Sequence, residues 1–401
     1  MKLLLQLSFR NLFRHKRRNA MLLLAIAVAV GGVNATNTLL RGFQMDMLNT
    51  AVASLTGHVK VHAQGYRDDP SISRGFTIND DYTPDVPAEA LLGWAPRVRL
   101  PAVIMSERET RGVQIVGVDP AAEGISFLAD AGIDGEFLKD EADGRIIIGR
   151  ELARQLETSV GRRLVIITQG ADGRNRERGY RVAGTFDAEG VGLEKIYAFV
   201  GIEALQKILQ SDAVTEVSIR LTDERFRPAA KASMESSFAT MDVLDWQDLE
   251  PALAQMFIFA DAALLIWFLL MMGALTFGLV NSLVAAVMER VKELGMMRAL
   301  GMRRRTVILQ VVIESVIMMA VGVIAGTLLA LGIYFWLADG IDLSMWAEGI
   351  EMAGMSTLLV PLLMPADMIL VAFMSLVLGF LASLYPAWRV VKLSPLEALH
   401  K

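Results

Sequence analysis

Three absences narrow what this chain can do. It has no cysteine, so disulfides, thiol catalysis and cysteine-based metal binding are excluded. Its four histidines, His15, His58, His62 and His400, form no catalytic constellation, and a metal-binding pair at His58 and His62 is the disfavoured interpretation. No G-x-x-x-x-G-K-[ST] phosphate loop occurs. We therefore expect no metal site and no unaided ATP hydrolysis.

Apolar residues dominate the chain instead. Its 401 residues are 53% hydrophobic, and the mean hydropathy is +0.42, which is too apolar for an ordinary soluble domain. The apolar residues concentrate in four runs, each at or above the roughly 20 residues that cross a bilayer. These runs are Ala20 to Leu40, Phe257 to Met288, Val307 to Leu337 and Met368 to Ala387.

The charge distribution predicts the topology. Residues 1–40 hold six Lys and Arg and no acid, whereas residues 41–251 hold 24 Lys and Arg against 34 Asp and Glu. The loop after the third run has five acids and no base. Because short cytoplasmic flanks are rich in Lys and Arg, both acidic regions should lie outside and both termini in the cytoplasm.

The chain divides accordingly. The predicted segments are an interfacial cytoplasmic helix (1–19), a first span (20–40), an external domain with stalk helices (41–256), a second span (257–288), a short cytoplasmic helix (289–306), a third span (307–337), a short external loop (338–367), a fourth span (368–388) and a cytoplasmic tail (389–401). The first run is longer than a signal peptide's apolar region, which favours an uncleaved anchor.

The large region between the first two runs mixes strand-like and helical patterns, which predicts an α+β domain. We expect a subdomain at about 119–211 to be inserted into a domain built from both ends. The predicted strands are 58–62, 97–105, 113–118, 145–148, 163–168, 180–185, 196–200, 214–221 and 241–245, and the predicted helices are 150–156, 202–209 and 226–238. The polar stretch from Gln169 to Gly179 is typical of a hairpin tip.

The segment from Met288 to Arg305 is the best candidate for a docking surface. It is short, amphipathic and basic, and it lies between two spans. Such a helix fits a groove on a soluble cytoplasmic partner, although an ordinary positive-inside loop is an equally good interpretation. Its docking candidates are Glu289, Arg290, Lys292, Glu293, Gly295, Arg298, Gly301, Arg303, Arg304 and Arg305.

Small residues within the spans predict close helix packing. Gly322 and Gly326 form a G-x-x-x-G pattern in the third run, and Gly379 begins a similar spacing in the fourth. Two acids lie near the hydrocarbon. Glu314 is either functional or paired with the basic cluster, and Asp261 is interpreted as part of a stalk.

The sequence resembles the FtsX/MacB-type permeases of ABC transporters, and most closely their lipoprotein-releasing LolC/LolE branch. The resemblance covers the whole architecture of one span, a large external domain and three further spans. Its motifs are RNLFRHKRR, TGHVKV, ERVKELGMMRALGMRRR followed by IES, and LYPAWRVVKLSPLEALHK. It implies a membrane protein with four transmembrane helices and a large α+β periplasmic domain of Porter/Sabre type.

The resemblance also implies partners and a mechanism. A dimer of cytoplasmic ABC ATPases would bind ATP and magnesium, dock on the coupling segment and drive mechanotransmission in the inner membrane; this chain would hold no cofactor and bind no nucleic acid. The other partners would be a second permease, identical or homologous, a lipidated or amphiphilic substrate, and a periplasmic chaperone or adaptor.

By location, the resemblance implies a substrate site at the outer ends of the first two spans. Its residues would be Leu40, Phe43, Met47, Met256, Phe257 and Phe259. Two alternatives stay open: a MacB-like permease of a tripartite efflux system, and an FtsX-like scaffold that activates a cell-wall hydrolase.

Overall fold

The computed structural model describes residues 16–79, 82–188, 192–289, 296, 302–346 and 357–392. In chain order, the helices and strands are α1 (Lys16–Ala51), β1 (Val59–Ala63), β2 (Leu91–Met105), β3 (Thr110–Val118), β4 (Gly132–Gly135), β5 (Arg145–Gly149), α2 (Arg150–Gln155), β6 (Arg163–Gln169), β7 (Asn175–Asp187), α3 (Leu193–Ile196), β8 (Tyr197–Gly201), α4 (Ile202–Leu209), β9 (Glu216–Leu221), α5 (Arg227–Ser237), β10 (Met241–Asp245), α6 (Trp246–Leu249), α7 (Pro251–Glu289), α8 (Arg304–Trp336), β11 (Ile341–Asp342), β12 (Leu358–Leu359) and α9 (Pro365–Lys392).

The chain forms two compact units. The membrane unit comprises Met1–Met45, Phe257–Asp342 and Leu358–Lys401, and the inserted unit comprises Asp46–Met256 and Leu343–Thr357. Among the described residues, four helices are long and apolar enough to cross a membrane: α1, α7, α8 and α9. The four predicted spans are thus confirmed.

Two of these helices are longer than a bilayer requires. The 36 residues of α1 and the 39 of α7 correspond to about 54 and 58 Å at roughly 1.5 Å per residue. A hydrocarbon core is about 30 Å thick. Both helices therefore continue well beyond a span, as the predicted stalks require.

The start of α8 differs from the predicted boundary. We expected the span to begin at Val307 and the coupling helix to include residues up to 306. Instead α8 begins at Arg304, after an extended Arg303 with φ −63° and ψ 140°. Arginine has good helix propensity, so nothing in the sequence prevents the helix from starting three residues before the apolar run.

One ten-stranded mixed sheet forms the inserted unit. Its main path runs β10-β1-β9-β2-β3-β8-β5-β7-β4, and β6 pairs with both β2 and β7. Strands from both ends of the unit pair with each other, since β1 lies between β9 and β10. The central strands β5 to β8 join them through the parallel β3–β8 pair. The predicted middle subdomain therefore shares its sheet with the rest of the unit.

Apolar side chains cover both faces of this sheet. One face packs Val59, Leu100, Ile146 and Leu205 into a large core. On the other face, three phenylalanine rings, Phe127, Phe186 and Phe199, lie with their centroids 5.5–5.9 Å apart. With both faces covered, even the polar residues of the central strands become buried.

The nine predicted strands and three predicted helices all overlap observed elements, although β2 begins six residues and β7 five residues before the predicted start. Gln169 and Asn175 pair at the end of β6 and β7, which confirms the hairpin tip. The short strand β4 was not predicted. Its sequence, GIDG, has a glycine at each end and no alternation of apolar residues to mark a strand.

Candidate functional site

Glycines allow three of the membrane helices to pack closely. A Cβ on Gly322 of α8 would lie 2.5 Å from Ile26 Cγ2 of α1, and one on Gly326 would lie 2.7 Å from the Ala27 carbonyl oxygen. A Cβ on Gly379 of α9 would lie 2.5 Å from Met319 Cε of α8. The three glycines thus each lie against a neighbouring helix, with Gly326 against the backbone of α1, and α8 is held between α1 and α9.

An ion network connects α1, α7 and α9. Arg41 Nη1 lies 2.9 Å from Asp261 Oδ1, and Arg41 Nε lies 3.0 Å from Asp367 Oδ2. Gln44 adds a hydrogen bond to Asp261 and accepts one from Arg41. Asp261, which the sequence placed in a stalk, therefore joins three helices of the membrane unit. Next to hydrocarbon, unpaired charges are costly, so this pairing has a clear physical cause.

An open apolar cavity of about 430 Å³ lies beside this network. Its walls come from α7 and α9, with Leu264, Phe268 and Met374 among them, and its polar edge is formed by Asn37, Arg41, Asp261 and Asp367. Asn37 Oδ1 is buried and accepts no hydrogen bond from any described residue. The cavity therefore combines apolar walls with one guanidinium, two carboxylates and a free acceptor at one edge, an arrangement suited to an amphiphile.

None of the six predicted substrate residues lines this cavity. Leu40 and Phe43 lie next to Arg41 and Gln44 along α1, and Phe257 and Phe259 lie in the second and third turns of α7. Met47 and Met256 fall in the inserted unit. Phe259 and Met256 are exposed, at 71% and 37%. The cavity begins deeper in α7, at Asp261, and includes α9, which the sequence had not implicated.

Only part of the predicted coupling segment lies within the described residues. Arg303, Arg304 and Arg305 are exposed at the start of α8. Glu289 ends α7. Arg290, Lys292, Glu293, Gly295, Arg298 and Gly301 lie outside the described residues. The three arginines present a compact cationic surface at the end of the helix that packs against α1 and α9.

The inserted unit contains a buried ionic network. Arg97 makes two hydrogen bonds to Glu123, at 2.6 and 2.9 Å, and both side chains are almost completely buried. Lys60 Nζ and Arg99 Nη2 lie 3.2 and 3.0 Å from the two oxygens of Glu216, which is fully buried. Despite that burial, Arg99 and Lys60 lower the pKa of the Glu216 carboxyl to about 2. Glu216 is therefore ionised at neutral pH.

His58 and His62 serve as buried structural residues. The His58 Nδ1 atom accepts the Leu221 N–H, and His62 Nδ1 donates to the Thr215 carbonyl. Burial lowers the pKa of each ring to about 4. Within the described part of the chain, no group of three or more His, Cys, Asp or Glu residues could hold a metal.

Comparisons with known proteins agree with this architecture. Residues 20–237 match the MacB-like periplasmic core domain, and residues 265–395 match the FtsX-like permease C-terminal domain. The chain belongs to the FtsX/MacB family of ABC transporter permeases. Both matched domains keep the order seen here, with the inserted unit following α1 and preceding the other three membrane helices.

Relatives of this FtsX/MacB-family permease carry two kinds of name. It is 25% identical to the lipoprotein-releasing system transmembrane protein LolC of Xylella fastidiosa, over 96% of both chains. It is 23% identical to LolE of Haemophilus influenzae, over 94% of this chain and 91% of that one. It is 24% identical to the macrolide export ATP-binding/permease protein MacB of Bdellovibrio bacteriovorus, over 98% of this chain but 60% of that protein.

The Arg41 network and its cavity were not predicted from the sequence, although the positions of its charged residues indicate it. Arg41 ends the first apolar run, Asp261 follows the start of the second by four residues, and Asp367 precedes the fourth. Opposite charges at the ends of three spans could have suggested a pairing. The sequence did not show which helices are neighbours, and so it did not show which charges meet.

Proposed function

We propose that this chain is the membrane subunit of an inner-membrane ABC transporter that takes a lipidated or other amphiphilic substrate from the outer leaflet. The observation that carries this proposal is the cavity beside Arg41. Its apolar walls suit acyl chains, and Arg41 and Asn37 offer a donor and an acceptor to a polar head group. The similarity to LolC and LolE supports a lipoprotein as the substrate.

ATP hydrolysis would take place in a separate ATPase dimer, with ATP and magnesium bound there, that docks on the segment from Glu289 to Arg305. Force received there would enter α8 through Arg304. Because Gly322 and Gly326 bring α8 against α1, a movement of α8 displaces α1 as well. Helix α1 continues without interruption to Ala51. This contiguous path supports mechanotransmission to the inserted unit.

A second permease, identical or homologous, would complete the complex. Helix α7 is the least buried of the four membrane helices, and it exposes Phe259, Leu270 and Phe277 at 71%, 65% and 76%. This apolar surface is available to lipid or to another permease. In this arrangement both termini lie in the cytoplasm and the inserted unit lies in the periplasm, where a chaperone or adaptor would receive the substrate.

A cross-linking experiment tests the cavity. A photoreactive amino acid at Leu264, in the cavity wall, should label an added triacylated lipopeptide when the permease is in nanodiscs. The matched control is Leu269 on the same helix, which is 53% exposed and lies outside the cavity wall. Equal labelling from both positions would indicate nonspecific lipid contact and contradict the proposal.

The same preparation distinguishes the second candidate, a MacB-like efflux permease, which the match to the MacB-like periplasmic core supports. Leu264→Trp should place an indole ring in the cavity and narrow it. If lipopeptide stimulates ATP hydrolysis by the complex and Leu264→Trp abolishes that stimulation, lipoprotein extraction is supported. If only small amphiphilic compounds stimulate hydrolysis, efflux is the better function.

A further inference from the structure

The inserted unit contains a second, polar cavity that the proposed transport function does not use. Its volume is about 470 Å³, within the range of about 300–1,000 Å³ that is typical of small-molecule sites. Lys60, His62 and Arg99 line it, together with Tyr66, Arg67 and Tyr197. A cavity lined in this way is far more polar than the one beside Arg41.

Two cations in the wall share a single anion. Lys60 Nζ and Arg99 Nη2 both contact the carboxylate of Glu216, which is fully buried behind the wall. Arg97, 3.9 Å from the same carboxylate, is already paired with Glu123. When Lys60 is protonated, the Lys60, Arg99 and Glu216 group therefore carries one positive charge in excess. Arg67, which is exposed, and Glu250 also line the cavity, and they add one charge of each sign.

The pKa of Lys60 indicates that no further anion balances this positive charge. Burial, together with the neighbouring Arg99 and Arg97, lowers the pKa of Lys60 to about 7 in spite of the attraction of Glu216. A second anion next to Lys60 would favour its charged form. The hydroxyl of Tyr66 donates to the Arg99 carbonyl, and Tyr197 accepts a hydrogen bond from the Arg99 side chain. These two hydrogen bonds hold Arg99 in place at the cavity wall, where 24% of its side chain is exposed.

We propose that this cavity binds the phosphate group of an organic anion, with Arg99 as the phosphate contact and Lys60, buried behind the wall, adding positive potential. The planar guanidinium is well suited to bind phosphate oxygens. The volume leaves room for a glycerol-sized substituent. Ser54 and Thr56, and Leu249 and Glu250, line the cavity where the chain leaves α1 and where it enters α7. Two sources can supply such a group, an anionic phospholipid or a soluble phosphate ester.

The test uses the full-length chain in detergent, with glycerol 1-phosphate and inorganic phosphate as probes in isothermal titration calorimetry. We expect glycerol 1-phosphate to bind, and Arg99→Gln to weaken binding by about tenfold or more, because it removes a charge-assisted hydrogen bond. Lys60→Met should weaken binding less, because it removes only a nearby buried positive charge. The control Arg108→Gln, on an exposed residue outside the cavity, should leave the affinity within about twofold of wild type.

Repeating the titration in nanodiscs identifies the source. If the occupant is a phospholipid, nanodiscs of phosphatidylglycerol should block the added probe, whereas nanodiscs of phosphatidylcholine should not. If the occupant is a soluble ester, the probe should bind equally in both. Either result supports the phosphate site. Absence of binding at millimolar probe, or equal weakening by Arg108→Gln, would overturn it.

Folding of the variants is checked independently. Lys60→Met removes a buried cation that is only partly ionised at neutral pH, and Arg99→Lys keeps the charge. If Arg99→Gln fails to fold, these two variants carry the test. Arg99→Lys should weaken binding more than Lys60→Met, because it alters the phosphate contact itself. The reverse order, with both variants folded, would contradict the assigned contact.

Discussion

Arg97 joins Glu123 to the turn that follows α1. Two of its nitrogens hydrogen-bond the Glu123 carboxylate, and the third, Nη1, donates to the Leu55 carbonyl at 3.3 Å. Ser218 Oγ donates to the same carbonyl. Leu55 has φ +73° in the π-helical turn Val52–Thr56, a conformation that is costly for a leucine. The buried ion pair therefore also stabilises an unfavourable backbone.

Replacing Arg97 by Met should strongly destabilise the inserted unit. The substitution leaves Glu123, 2% exposed, without its partner, which typically costs about 3–5 kcal/mol. Hydrogen exchange of β2 and β9 amides in the intact chain measures the loss. Arg108→Met, which breaks an exposed pair with Glu157, should cost less than about 1 kcal/mol. Equal effects of the two variants would show that the Arg97 pair has no special role.

Gly326 and Gly332 both lie on α8, and only Gly326 is closely packed, so Gly332 serves as its control position. Gly326→Ala places a Cβ 2.8 Å from Val30 Cβ, and overpacking of this kind costs about 1–3 kcal/mol. A Cβ on Gly332 meets nothing within 4 Å, so Gly332→Ala should be neutral or slightly stabilising. Thermal unfolding in detergent measures both. If the contact transmits force, only Gly326→Ala should also reduce ATP hydrolysis by the assembled complex.

Arg41 should be replaceable by Lys but not by Met. Arg41→Met leaves the Asp261 and Asp367 carboxylates facing each other without a cation, and we expect a loss of about 2 kcal/mol or more. Arg41→Lys keeps one charge and should retain part of the stability. Combining Arg41→Met with Asp367→Asn should recover part of the loss in thermal unfolding. No recovery in the double variant would argue against the network.

Acid should destabilise the inserted unit through its two buried histidines. The folded pKa of His58 and of His62 is about 4, below the unfolded value of about 6.5, so only the unfolded state gains protons as the pH falls below 6.5. Each ring should therefore reduce stability by about 3 kcal/mol once the pH is below 4. Glu216 loses its contribution only below pH 4.5, and Lys60, with a folded pKa of about 7, contributes only near pH 7 and above. The histidines therefore dominate between about pH 6 and 4.5.

Hydrogen exchange of β1 and β9 amides, corrected for intrinsic rates, measures this dependence between pH 7 and 4.5. His62→Asn keeps a donor for the Thr215 carbonyl and should flatten the profile. Amides of α8, a helix without histidine, serve as the internal control. A flat profile in the wild-type chain would contradict the prediction.

The arginines at the start of α8 should connect the permease to its ATPase. Arg304→Glu with Arg305→Glu should lower the permease-dependent stimulation of ATP hydrolysis by about tenfold, because reversed charges repel a complementary acidic surface. The helix should still form, since glutamate also favours a helix and suits its first turn. Arg162→Glu, on an exposed residue of the inserted unit, is the control. Unchanged stimulation in the double variant would place the docking surface elsewhere.

Local pattern predicted much of this fold, and the limits of the prediction have a physical cause. Alternation within β1 to β10 identified nine strands, and the length of the apolar runs identified four spans. Lys60, Arg97 and Glu216 lie in strands where charge normally marks a solvent face. Their burial arises because helices and loops cover both faces of the sheet, which depends on contacts between residues far apart in the chain.

The turn at Leu55 also determines where the molecule can bend. Its carbonyl is held by Arg97 and Ser218, and Gly57 N–H closes the turn onto Val52. With these hydrogen bonds in place the turn is rigid, so the end of α1 and strand β1 move together. The last turn of α1 is thereby joined to the first strand of the sheet without a flexible link, and the conformation of one leucine sets the direction in which the chain enters that strand.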